Sequence, residues 1–202
     1  MTATLPLTAS TRSWRVVDIV VASVVAVACG VIFFAWNFAS DPVTRPLSAA
    51  LPGLQGLGYG VWLLGGLLTA AVVRKPGAAL FGEIVAASVS ALLGAQWGLL
   101  TLESGLVQGL AAELIFLAFL YRVWKLPVLV LAGAAAGLAM AVNDLILWYV
   151  GADALFATVY VISCMISGAV IAGLGSWLLV RGLARTGVLS RFASGRDSAE
   201  RV

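Results

Sequence analysis

Six stretches of this chain are apolar for close to the length of a bilayer crossing: residues 16–36, 57–73, 77–95, 104–121, 126–150 and 159–180. Spanning roughly 30 Å of hydrocarbon takes about 20 such residues in a helix. The runs are continuously apolar, without the in–out alternation of a barrel strand, so each satisfies its backbone as a helix. Charged residues make up only 10% of the 202, against roughly 25% in a soluble domain. The chain is therefore read as an all-α polytopic membrane protein, a compact six-helix bundle solvated mainly by lipid. Glycine is abundant, at 22 residues, and much of it falls within the spans, where small residues let backbones approach closely.

Charge placement sets the expected orientation. With the N-terminus inside, Arg12, Arg15, Arg74, Lys75, Arg122, Lys125, Arg181, Arg185, Arg191, Arg196 and Arg201 are all cytoplasmic, and only Arg45 is external. This positive-inside pattern places both termini in the cytoplasm and needs an even number of spans. The expected organisation is one membrane domain over residues 13–189, with mobile ends at 1–12 and 190–202. The longest connection, residues 37–56, is expected to be an external loop, either a lid or a spacer.

Three acids, Glu83, Glu113 and Asp144, lie inside these apolar runs. A carboxylate at membrane depth costs at least ~2.5 kcal/mol, so it faces the bundle interior and either pairs helices or binds something. At about 1.5 Å per residue, Gln108 lies ~6 Å below the outer end of span four, with Glu113 near the midplane. Asn143 and Asp144 lie ~9–11 Å below the outer end of span five, and Glu83 sits ~9 Å in from the cytoplasmic side. On span four, Gly105, Gln108, Gly109, Ala112 and Glu113 share one arc; on span five, Gly133, Gly137, Met140, Asp144 and Trp148 share a face. Tyr59, Trp62, Trp97, Trp148, Trp36 and Tyr160 fall near outer helix ends. There they form either an interfacial belt or the walls of a pocket that stacks a flat ring.

Much is excluded. The chain has no histidine, which removes His-dependent catalysis, His-ligated metals and His proton relays. Asp144 stands alone, so a paired-aspartate protease is not indicated, and the expectation is a non-enzyme with no metal and no cofactor. Cys29 and Cys164 both lie within spans and read as buried small hydrophobes. No basic–aromatic stripe suggests nucleic acid as a partner. Two other readings remain: a structural protein whose acids only stitch helices, and a stand-alone proton-coupled carrier using Glu83 and Glu113.

Several segments carry a family resemblance: Tyr59-Gly60-Val61-Trp62, Arg74-Lys75-Pro76-Gly77-Ala78-Ala79-Leu80 followed by Glu83, and Val107-Gln108-Gly109-Leu110-Ala111-Ala112-Glu113. Leu126-Pro127-Val128-Leu129, Asp144-Leu145 and Thr186-Gly187-Val188-Leu189 extend it. Over nearly the whole chain this resembles the YkoE family, substrate-binding S components of energy-coupling factor (ECF) vitamin importers of the thiamin or hydroxymethylpyrimidine type. The resemblance implies capture of a vitamin from outside and delivery through a membrane T component driven by two cytoplasmic ATPases. The chain has no Gly-rich phosphate loop of its own and would need those ATPases. Depth and this match together give an expected substrate site drawn from Gln108, Glu113, Asp144, Glu83, Asn143, Tyr59, Trp62, Trp97 and Trp148. The small-residue face of span one, Ala22 and Ala26, would meet the T component. Two departures lie near the expected pocket: Gly94-Ala95-Gln96-Trp97-Gly98 lacks the family's Asn-Pro turn, and Asn143 stands where a tyrosine is expected. Both bear on which vitamer is taken.

Overall fold

The computed structural model describes residues 13–190 and 192–195. Six apolar helices account for the six runs: α1 Val16–Ala50, α2 Leu54–Val73, α3 Ala78–Leu92, α4 Leu100–Ala118, α5 Leu126–Leu147 and α6 Ala154–Arg185. Five are long and apolar enough to cross a membrane; α3, at 15 residues, is the short one. It compensates by position, packed against α1, α2 and α4.

Local chemistry sets the helix limits. At the start of α1 the Arg15 backbone N–H and guanidinium both donate to the Asp18 carboxylate, the latter at 2.8 Å, giving an i,i+3 pair. Between α2 and α3 the chain reverses through Arg74 and Gly77, both left-handed at φ 56° and 82°, around Pro76. Trp14 fastens this corner by donating to the Pro76 carbonyl at 2.9 Å. Lys125 leads into α5 with Pro127 in the first turn, where a missing N–H costs nothing.

α1 departs most from expectation. Residues 37–50 are not an external loop but a continuation of the helix for about four further turns, through Pro42 and Pro46. Each proline removes an i→i−4 bond and would ordinarily break a helix. Local side-chain bonds support this one: the Thr44 hydroxyl donates to the Ser40 carbonyl at 2.8 Å and Ser48 to Arg45 at 3.0 Å. Asp41 and Arg45 also pair one turn apart. Only residues 51–53 connect to α2, so the external loop expected over 37–56 is replaced by a helical wall.

Ala22 and Ala26, expected at the contact with a T component, are both 0% exposed within the chain. The small face of α1 is used within the chain: a Cβ on Gly30, one turn further along, would lie 2.6 Å from Val89 and 2.7 Å from the Ala86 carbonyl of α3. Small residues also bring α5 against α6, where a Cβ on Gly133 or Gly137 would come within 2.2 Å of the Gly168 or Cys164 carbonyl. Cys29 and Cys164 are free thiols buried at such seams.

Two helices change pitch. The first half of α2, Leu54–Leu63, is a 3-10 helix, and Gly168–Leu174 within α6 is a π-helix. At the chain's end, part of the tail expected to be mobile folds back. Leu189 and Phe192 join the core, and the Ser194 hydroxyl donates to the Val72 carbonyl at 2.9 Å. Residues 1–12, 191 and 196–202 lie outside the described set.

Candidate functional site

A cavity of about 480 Å³ opens where the helices do not close on one another, within the 300–1,000 Å³ usual for small-molecule sites. It occupies the end of the bundle away from Arg74, Lys75, Arg122, Lys125 and Arg185. Its walls come from the C-terminal half of α1, the 3-10 part of α2, the middle of α3, the start of α4, the end of α5 and the start of α6.

The α1 extension supplies a polar stripe. Asn37, Ser40, Asp41, Thr44 and Ser48 recur at helical spacing and all line the cavity. Asn37 is the best-tethered of them, accepting from the Trp62 indole N–H at 2.9 Å and donating to the Ser90 hydroxyl at 3.3 Å. Sequence reasoning misses this stripe because Pro42 and Pro46 read as loop signals. The 3.6-residue recurrence of polar side chains through 37–48 was the available clue.

Glu83 forms part of the floor and is 2% exposed. Gly65 and Gly66 on one side, and Gly105 and Gly109 on the other, let α2 and α4 close around it; a Cβ on Gly66 would lie 3.0 Å from Glu83 Oε2. Oε2 accepts the Gly66 backbone N–H at 2.6 Å, while Oε1 is buried with no partner. The Thr101 hydroxyl, also on the cavity wall, is a second buried oxygen without one. Unmade hydrogen bonds at buried oxygens are costly, about 1–3 kcal/mol each, so both mark positions a ligand can satisfy.

Asp144 also lines the cavity and accepts from the Tyr160 hydroxyl at 2.6 Å. Around it the aromatics form a continuous box. Tyr59 meets Trp62 edge-on at 5.0 Å and Tyr160 at 6.0 Å, and Trp62 meets Trp97 at 5.4 Å. Tyr149, not singled out from the sequence, packs on Tyr160 at 5.2 Å. Gln108 and Trp148 complete the expected lining residues.

Two expected site residues are elsewhere. Glu113 is not on the cavity: its carboxylate accepts the backbone N–H groups of Gly77, Ala79 and Leu80 at 2.5, 2.9 and 3.3 Å. These are the unpaired donors at the α3 N-terminus, so Glu113 caps α3 from the neighbouring helix, where a negative charge also suits the helix dipole. One arc on α4 could not reveal this, because Glu113 turns toward α3 below the cavity floor. Asn143 is held beside the cavity, donating to the Glu103 carboxylate at 3.0 Å, and does not line it.

An all-helical, lipid-solvated bundle enclosing a polar and aromatic cavity at one end defines an integral membrane protein built to hold a small solute. The comparisons agree. Residues 17–139 match the family described as the permease component of an ABC-type cobalt transport system. The chain is 35% identical over 187 residues to the putative HMP/thiamine permease protein YkoE of Bacillus subtilis (strain 168), covering 92% of each. It shares 34% identity and a TM-score of 0.85 with the crystal structure of an S-component of an ECF transporter, over 94% of this chain and 95% of that one. The chain belongs to the YkoE family of ECF transporter S components, which are transport proteins rather than enzymes.

Proposed function

We propose that this S component captures hydroxymethylpyrimidine or thiamin in the cavity for uptake driven by a T component and two ATPases. The observation that carries the reading is the unpartnered Oε1 of Glu83, a residue on the lining of a cavity walled by indole and phenol rings. An aminopyrimidine presents N–H donors at its edge and a flat face; a carboxylate accepts the former and the rings stack the latter. Thr101 and Gln108 offer further hydrogen bonds around the ring. For thiamin, the cationic thiazolium gains up to about 2 kcal/mol from indole faces. The named substrate of the YkoE relative supports the same choice.

A cobalt ion is less well served. The cavity lining contains no His or Cys, and its carboxylates, Asp41, Glu83 and Asp144, come from three different helices. Among the described residues no three metal-ligating side chains converge. The proton-carrier alternative also loses its second group, since Glu113 is committed to backbone donors.

The basic end of the bundle is cytoplasmic by the positive-inside rule, which opens the cavity to the outside, as capture requires. Docking to the T component then falls to exposed residues other than Ala22 and Ala26. Purified protein titrated with hydroxymethylpyrimidine, thiamin and riboflavin tests the reading. A bound vitamin at ~100 times its Kd should stabilise the fold by about 2.7 kcal/mol. A shift with hydroxymethylpyrimidine or thiamin and none with riboflavin is expected; no shift with either pyrimidine refutes it.

A further inference from the structure

Tyr59 and Trp62 of the cavity wall are carried by a 3-10 helix, and one side chain from a distant helix is hydrogen-bonded into its backbone. In a 3-10 ladder the Gly60 N–H would bond the Leu57 carbonyl three residues back. Here the Ser167 hydroxyl stands between them: it accepts the Gly60 N–H at 2.7 Å and donates to the Leu57 oxygen at 2.7 Å. A side chain inserted in a helix ladder is a recognised cause of local distortion. The approach is close enough to demand glycine, since a Cβ on Gly60 would lie 2.3 Å from the Ser167 carbonyl, and one on Gly56 2.7 Å from Cys164 Sγ. This accounts for the glycine between the two rings in Tyr59-Gly60-Val61-Trp62.

The other side of the contact is equally unusual. Ser167 is 2% exposed and is followed at once by the π-helical segment Gly168–Leu174. π-Turns cost regular hydrogen bonding and occur mostly at functional sites. Tyr59 and Trp62 flank the bridged Gly60, and both line the cavity. Side chains advance ~120° per residue in a 3-10 helix and ~100° in an α-helix, so any change of pitch at Gly60 swings Tyr59 relative to the α-helical remainder of α2.

We propose that Ser167 is a positioning residue for the substrate: its hydroxyl sets the pitch of residues 54–63 and thereby the facing of Tyr59 and Trp62, without touching the ligand. The inference rests on the cavity being the vitamin site, and the test separates the two. Wild type, Ser167→Ala and the control Ser163→Ala, a buried serine one turn earlier, are compared by near-ultraviolet circular dichroism without ligand and by titration with hydroxymethylpyrimidine and thiamin. Ser167→Ala should change the aromatic dichroism and weaken binding at least tenfold, with Ser163→Ala within twofold of wild type. The spectral change should disappear when Ser167→Ala is made in a Tyr59→Phe, Trp62→Phe background. A folded Ser167→Ala protein with wild-type dichroism and affinity within twofold overturns the proposal. Should Ser167→Ala fail to fold, Ser167→Cys, which keeps the volume with a weaker hydrogen-bonding group, carries the same test: an intermediate loss supports the proposal and wild-type behaviour overturns it. If wild type binds neither vitamer, the substrate reading fails, while the dichroism still decides the role of Ser167.

Discussion

Glu83 and Glu113 are both glutamates in membrane helices, both nearly inaccessible, and the structure uses them in opposite ways. Glu113 spends its carboxylate on three backbone donors at the start of α3. Glu83 spends one oxygen on Gly66, leaves the other without a protein partner, and lines the cavity. The same contrast runs through the bundle. Toward the basic end, small residues close the helices on one another until a single added methyl would clash. Toward the other end, Trp, Tyr and polar side chains hold the helices apart and leave about 480 Å³ open. The closed half fixes where the walls of the open half stand.

The contrast can be broken most severely in the closed half. Gly137→Leu drives a side chain into the Cys164 carbonyl, 2.2 Å from where its Cβ must sit. It should cost more than about 3 kcal/mol and abolish folded yield in detergent. Glu113→Ala comes next: it strands the α3 donors, with a loss of about 3 kcal/mol in a thermal melt. Whatever folds should bind vitamin within twofold of wild type, which is the outcome that sharpens the division of labour. Glu83→Gln should do the reverse, leaving the melting temperature nearly unchanged while affinity falls 10- to 100-fold, the worth of a charge-assisted hydrogen bond. Trp97→Ala opens one side of the aromatic box and should weaken binding about tenfold. The smallest effect is expected at the exposed Asp41–Arg45 pair, where Arg45→Ala should alter stability by less than about 0.5 kcal/mol in the same melts.

Much of this was legible in the residues. Continuous apolar runs specify helices because the bilayer leaves the backbone no other partner, and each of the six runs is helical, five of them long enough to cross a membrane. The depth estimates grouped Gln108, Asn143 and Asp144 in the outer half; Gln108 and Asp144 line the cavity together with Tyr59, Trp62, Trp97 and Trp148, while Glu83, read as lying nearer the cytoplasmic side, also reaches it. What escaped depended on contacts between distant segments. Pro42 and Pro46 look like loop signals unless the side-chain bonds of Thr44 and Ser48 are known, and with them went Asn37 and its stripe. Glu113 shares an arc with Gln108, but only the packing of α3 shows that its end lies within reach of the Gly77 N–H. Ala22 and Ala26 form a small-residue stripe that reads as a docking surface, because a sequence cannot say whether a neighbour in the same chain already covers it. The 3-10 and π segments depend on Ser167 meeting Gly60 across more than a hundred residues, a pairing no local propensity encodes.

The most direct test titrates wild type, Glu83→Gln and Glu113→Gln with hydroxymethylpyrimidine and thiamin, following tryptophan fluorescence on protein shown to be folded. Wild-type binding that is retained in Glu113→Gln and lost or weakened at least tenfold in Glu83→Gln is the expected result. Binding that survives Glu83→Gln unchanged, or that fails only with Glu113→Gln, would contradict the assignment of the cavity and its floor carboxylate as the substrate site.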